Sequence, residues 1–242
     1  MNKTLIFPML FSLLCLCGCS ISESNKHDDN SYQFERADGD KTIYALASDN
    51  TSDSILVFLT LPYSGSDPDT LNILKARRER KFFGRMNTGD QLAILRDEED
   101  TTSAAMVIVT EDFLGQWYYE VFPQLRRQMP DSIMPARIKA MLDKSREYCM
   151  TMKTDNVMYN IGARLGKDSL DDMLPVVYPK PKRYTQWAFY NGKLVLTETA
   201  ADSTQKRHTV STDTAEFVRL RRDTLILRFA DGEHTYYKKV NK

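Results

Sequence analysis

From residue 41 to its end, the chain repeats one unit: a short run of aliphatic, aromatic and β-branched residues closed by a cluster of turn formers. That spacing predicts many short strands in a sandwich or barrel rather than helices. In the first half the runs fall at 43–46, 55–61, 71–74, 81–86, 92–95 and 104–110. Between them lie Ser48-Asp49-Asn50-Thr51, Tyr63-Ser64-Gly65-Ser66-Asp67-Pro68, Asn87-Thr88-Gly89-Asp90 and Asp97-Glu98-Glu99-Asp100, all loop chemistry. In the second half the runs fall at 148–153, 157–161, 184–190, 193–199, 207–210, 215–221, 225–229 and 235–240. Tyr190-Asn191-Gly192-Lys193 and Ala230-Asp231-Gly232-Glu233 each carry a pair suited to two positive φ angles in a type I′ hairpin. Successive hairpins make a meander that loses its exposed edges by closing on itself.

One segment breaks the rhythm. Residues 135–146 read as a helix with Met134, Ile138, Met141 and Leu142 on one face, able to plug a barrel end or to pack on its wall. The expected class is all-β with one inserted helix, in two modules: a small β module at 41–111 and a barrel at 112–242. Lys and Arg total 33, as do Asp and Glu, so no basic field selects nucleic acid. Arg77, Arg78, Arg80 and Lys81 form an isolated basic run and read as a solvated edge.

Residues 1–20, MNKTLIFPMLFSLLCLCGCS, place one early cation at Lys3 before an apolar stretch and small residues, the layout of a secretory leader. The stretch is shorter than the roughly 20 apolar residues a spanning helix needs. Leu16-Cys17-Gly18-Cys19 resembles the bacterial lipobox, which implies a leader at 1–18 and acylation of Cys19. Two or more acyl chains give stable anchoring where one does not. Ser20 follows the cysteine, so by resemblance to Gram-negative sorting the lipid anchor lies in the outer membrane. Residues 19–40 are polar and read as a flexible tether.

Phe113-Leu114-Gly115-Gln116-Trp117 is similar to the Gly-x-Trp opening of lipocalin-type barrels, so Gly115 and Trp117 are expected to mark a barrel end. Trp187 with the hairpin to Leu194-Val195-Leu196, and Phe217-Val218-Arg219-Leu220 followed by Asp223-Thr224-Leu225-Ile226-Leu227 and Tyr236-Tyr237-Lys238, resemble the closing strands of lipocalin-like lipoproteins of Bacteroidetes. The resemblance covers residues 112–242 and implies an up-and-down antiparallel barrel. The first module resembles OB-like small barrels through Phe82-Phe83-Gly84-Arg85 and Gly89-Asp90-Gln91-Leu92-Ala93.

No residue constellation points to catalysis. His27, His208 and His234 lack zinc spacing, Asp97-Glu98-Glu99-Asp100 and Asp171-Asp172 lack the pattern of a calcium loop, and no nucleophile elbow or phosphate loop occurs. Cys149 stands alone in the body and reads as a small buried hydrophobe. We therefore expect no enzyme, cofactor or metal. Tyr148, Met150, Met152, Trp187 and Phe189 line either a ligand pocket or a core. The expected function is that of a membrane-anchored envelope lipoprotein binding a small apolar or amphipathic ligand. A filled barrel serving protein interaction or envelope assembly is the alternative.

Overall fold

The computed structural model describes residues 37–161, 174–203 and 205–239. The expected leader, Cys19, nearly all of the tether and the Asp171-Asp172 pair lie outside the described residues.

In chain order the first strands are β1 (Ile43–Ala47), β2 (Ile55–Thr60) and β3 (Asp69–Asn72), followed by the short helix α1 (Leu74–Arg78). Next come β4 (Phe82–Phe83), β5 (Gln91–Arg96), β6 (Ala104–Val109) and a single turn of helix, α2 (Thr110–Phe113). These strands form one six-stranded sheet in the order β3-β2-β1-β5-β6-β4. All its pairs are antiparallel except β4 with β6. Leu56 and Phe58 alternate with more exposed residues along β2 and pack with Ile73, Leu92, Ile94 and Val107, as a half-covered sheet requires.

The second set begins with β7 (Gly115–Val121), β8 (Gln124–Leu125), a 3-10 turn at Asp131–Ile133, α3 (Ala136–Leu142), β9 (Arg146–Met152) and β10 (Met158–Ile161). It continues through β11 (Val176–Val177), β12 (Gln186–Tyr190), β13 (Lys193–Ala201), β14 (Arg207–Leu220), β15 (Thr224–Phe229) and β16 (Gly232–Tyr237). Apart from the small β8–β11 pair, these strands form a nearly closed eight-stranded antiparallel barrel in the order β10-β9-β7-β16-β15-β14-β13-β12. Read around the wall, neighbours are consecutive barrel strands except where the first, β7, meets the last, β16, so the up-and-down meander is realised. The ends of the sheet approach closure through the Val157↔Gln186 bridge and through Met158 N–H to Thr185 O at 3.0 Å.

The first and last strands meet at Tyr118↔Tyr237. There Lys238 Nζ donates to the carbonyls of Asp112 (2.9 Å) and Leu114 (2.7 Å) and lies 4.5 Å from the Trp117 ring. Its desolvation lowers the Lys238 pKa, but two carbonyls and an aromatic face still favour the cation.

Local chemistry explains where the elements depart from expectation. The Asn191-Gly192 turn has φ of 49° and 76°, the type I′ pattern. The Asp-Gly turn does not: Phe229 pairs with Gly232, leaving Ala230-Asp231 as the two-residue loop, with Gly232 at φ 135° entering β16. Residues 207–220 form one long strand instead of two, because Ser211, Thr212 and Asp213 keep their ladder positions opposite Glu198, Thr197 and Leu196. The helix stops at Leu142, capped at Asp143, and Arg146 already opens β9. The run at 81–86 forms only the two-residue β4, which ends at Gly84 with φ 98°. Cys149 is half-buried, since its neighbours Tyr148 and Met150 take the inward positions of β9.

The mixed sheet abuts one end of the barrel. Phe83, Ala93 and Ile108 belong to the same apolar cluster as Phe113, Trp187, Phe189 and Phe217, and residues 111/112 fall inside α2. Phe83 and Phe217 stack at 5.5 Å, Gly84 N–H donates to Leu220 O at 3.1 Å, and Tyr44 Oη donates to Phe189 O at 3.0 Å.

Candidate functional site

Alternation along each strand sends every second side chain inward. Toward the mixed sheet, those side chains pack against one another. Phe113 is the hub, 5.1 Å from Trp187, 5.6 Å from Phe189 and 5.7 Å from Phe217, and none of these rings is more than 7% exposed. The indoles are also satisfied: Trp117 Nε1 donates to Phe113 O at 2.7 Å and Trp187 Nε1 to Lys153 O at 3.0 Å.

Two residues further along the same faces, the composition changes. Trp117 is followed by Tyr119, Phe217 is preceded by Asp213 beyond Ala215, and β16 contributes Tyr236. These groups, with Tyr148, Tyr184, Leu196 and Phe229, line an open cup of about 660 Å³. Its wall is aromatic: Tyr119 meets Tyr236 at 5.3 Å and Tyr148 at 5.8 Å, both edge to face. Such a volume, largely apolar with a few convergent polar groups, is what small-molecule sites require.

The polar groups differ in how far they are committed. Tyr148 Oη donates to Pro179 O at 2.7 Å, and Asn160 Nδ2 to Lys182 O at 2.9 Å. Tyr184 Oη and Lys182 Nζ both donate to Asp213 Oδ2. Lys182 and Tyr184 together hold the Asp213 carboxyl below the usual carboxylate range, so the rim carries a neutralised ion pair. The Tyr119 and Tyr236 hydroxyls have no hydrogen-bond partner among the described residues. Neither has the buried acceptor Asn160 Oδ1. Burial pushes the Tyr119 phenol up to about 12 and raises Tyr236 and Tyr184 as well, so all three stay protonated donors at neutral pH. The cup can therefore hold an apolar or aromatic body bearing neutral hydrogen-bond acceptors.

Of the residues singled out from sequence, Tyr148 and Met150 line the cup. Met152, Trp187 and Phe189 lie in the filled cluster instead, 2%, 4% and 1% exposed. Gly115 opens β7 at φ 109°, where a Cβ would meet only the Lys238 side chain at 3.7 Å, and Trp117 is fully buried. Tyr119, Tyr184, Tyr236, Lys182 and Asp213 were not anticipated. Counting by twos from Trp117 would have found Tyr119, but nothing local joins Lys182 to Asp213. Helix α3 contributes no residue to the cup; its predicted face is half-buried, and the helix packs near β11.

Among the described residues there is no cluster of three metal-ligating side chains, and no helix is long and apolar enough to cross a membrane. Comparison of the chain with protein-family models, with curated proteins and with solved structures finds no match.

Proposed function

We propose that the protein is an exported, lipid-anchored envelope protein whose barrel binds a small, partly apolar molecule in the tyrosine cup. The observation that carries the binding role is the pair of uncommitted phenols, Tyr119 and Tyr236, in an aromatic recess of about 660 Å³. Both hydroxyls sit beside the open recess, where a ligand that supplies acceptors can take the place of water. The lipobox-like Leu16-Cys17-Gly18-Cys19 supports the anchor. The filled half of the barrel serves as scaffold.

Native mass spectrometry of protein purified from its host tests the binding role, with an added mass expected on the folded chain. A bare chain across mild preparations would count against it. The anchor is tested separately with a palmitate analogue, where Cys19→Ala should lose both label and membrane fractionation.

A further inference from the structure

The basic run at Arg77, Arg78, Arg80 and Lys81 reads in sequence as a solvated edge, but folding gives it a second wall. A cleft of about 850 Å³ lies between the α1–β4 connection and the β14–β15 hairpin. Arg77 and Arg80 line one side, Arg219 and Arg221 the other, and Phe82 and Ile226 form part of the apolar lining. In a chain with equal numbers of cationic and anionic side chains, this brings four arginines to the lining of one groove.

The neighbouring carboxylates are engaged elsewhere. Glu79 pairs with Lys81 at 2.7 Å, and Glu233, the one acid in the lining, pairs with Arg228 at 2.7 Å. Arg77 reaches the fully exposed Asp53 only at 3.9 Å and stacks 4.5 Å from the Phe82 ring. Arg80, Arg219 and Arg221 have no carboxylate partner among the described residues.

Arg80 carries a second, independent signal. Lys81 N–H donates to Ala76 O (2.7 Å) and Arg80 N–H to Arg77 O (3.1 Å), a helix-ending motif that puts Arg80 at φ 59°. Glycine is the usual residue there because a Cβ is strained in the left-handed region. An arginine at a position that favours glycine, in the lining of a cleft with three further arginines, is backbone strain beside a candidate site.

We propose that this cleft binds phosphorylated ligands. Arginines on two walls of one cleft suit an anion with oxygens pointing several ways, and arginine rather than lysine at all four positions favours bidentate contacts to phosphate. A carboxylate offers acceptors in one plane only. The same chemistry is carried by a soluble phosphate ester and by a phosphomonoester lipid headgroup.

Calorimetric titration of the purified full chain in a non-ionic detergent tests the proposal, with pyrophosphate, dioctanoyl phosphatidic acid, dioctanoyl phosphatidylcholine and citrate as probes. Saturable binding of pyrophosphate, of phosphatidic acid or of both is expected, weakening as salt is raised. Pyrophosphate alone would point to soluble phosphates, phosphatidic acid alone to a headgroup. Arg219→Gln with Arg221→Gln should weaken binding about tenfold or more. Arg80→Gly should weaken it about fivefold while leaving the Tm equal or higher, since glycine relieves the backbone strain. That stability readout separates loss of a ligand contact from loss of the fold. Arg137→Gln, on α3 and outside the cleft, should change nothing. The proposal is overturned by absence of saturable binding to either phosphate, by citrate binding as tightly, or by Arg80→Gly leaving affinity intact.

Discussion

The two ends of the barrel are built from the same strands with the same inward alternation, yet one is packed solid and the other is an open cup. The difference is what lies beyond them. At the filled end, Phe83, Ala93 and Ile108 of the mixed sheet join the same apolar cluster as Phe113, Phe189 and Phe217, and those rings are at most 7% exposed. At the other end the positions are held by Tyr119, Tyr148, Tyr184 and Tyr236, whose hydroxyls tolerate or require a polar neighbour. A barrel of this size can be filled by its own side chains or can hold one small ligand. Here it does the first in one half and leaves room for the second in the other.

The largest effect that comparison predicts is at Trp187. It is 4% exposed, edge-on to Phe113 and Phe189, and hydrogen-bonded to Lys153 O, so Trp187→Ala should cost about 3–5 kcal/mol in urea denaturation. Tyr119→Ala, at the cup, should cost about half as much or less, because the cavity it leaves is continuous with solvent. Equal losses at the two sites would mean that the cup is an extension of the core.

Glycines give a second contrast. A Cβ on Gly84, at φ 98° where the mixed sheet meets the barrel, would sit 2.8 Å from Val109 Cβ, which is anchored in a strand. Gly84→Ala should therefore cost about 2–3 kcal/mol, combining overpacking with backbone strain. Gly232, at φ 135° in the β15–β16 hairpin, has nothing within 4 Å of its Cβ position. Only the strain remains there, about 1 kcal/mol. Thermal unfolding of the two variants compares them, and a milder Gly84→Ala would show that the sheet and barrel are loosely joined.

This same asymmetry explains what could be read from the sequence. Strand identity was largely legible because it is a local, period-two pattern: the meander and the Asn191-Gly192 turn follow from residue order, although the two runs expected within 207–221 are one strand. Contacts between distant polar residues were not. Asp97 looks like part of a solvated acidic turn, but it is 6% exposed, held by Lys75 and by the N–H groups of Glu99 and Asp100. Asp213 likewise sits in a polar run that reads as a strand break, and its partners Lys182 and Tyr184 come from another segment. Trp187 and Phe189 were grouped with Tyr148 and Met150 by residue type. Alternation fixes the face a side chain takes, and only the assembled barrel fixes which end it reaches.

Alkaline pH should act on the cup more than on the core. Burial raises Tyr119 to about 12, against an ordinary phenol value near 10, and raises Tyr236 in the same direction. Between those values the unfolded chain has released protons that the folded chain still holds, so stability must fall as pH rises. A decline of about 1–2 kcal/mol is expected between about pH 10 and 12, measured by urea titration with phenolate absorbance followed in parallel. Replacing Tyr119 and Tyr236 by Phe should reduce it, leaving the part that belongs to Tyr148, Tyr184 and Tyr237, whose phenols are also raised. An unchanged slope in that variant would place the titrating groups at those other tyrosines.

The smallest stability effect is the most informative about function. At the filled end both indole donors are committed, Trp117 to Phe113 O and Trp187 to Lys153 O, whereas the Tyr119 and Tyr236 hydroxyls have no partner among the described residues. Removing an uncommitted hydroxyl forfeits no internal hydrogen bond and keeps the ring, so Tyr119→Phe with Tyr236→Phe should change stability by no more than about 0.5 kcal/mol. A ligand whose acceptors meet those two donors should nevertheless lose about tenfold or more in affinity, because its own buried acceptors are left unpaired. Native mass spectrometry of wild type and double variant prepared side by side from the host separates the possibilities. Reduced ligand occupancy at unchanged stability is the expected result. A double variant that unfolds easily would make the phenols structural, and one that retains full occupancy would move recognition away from the two hydroxyls and onto the aromatic faces of the cup.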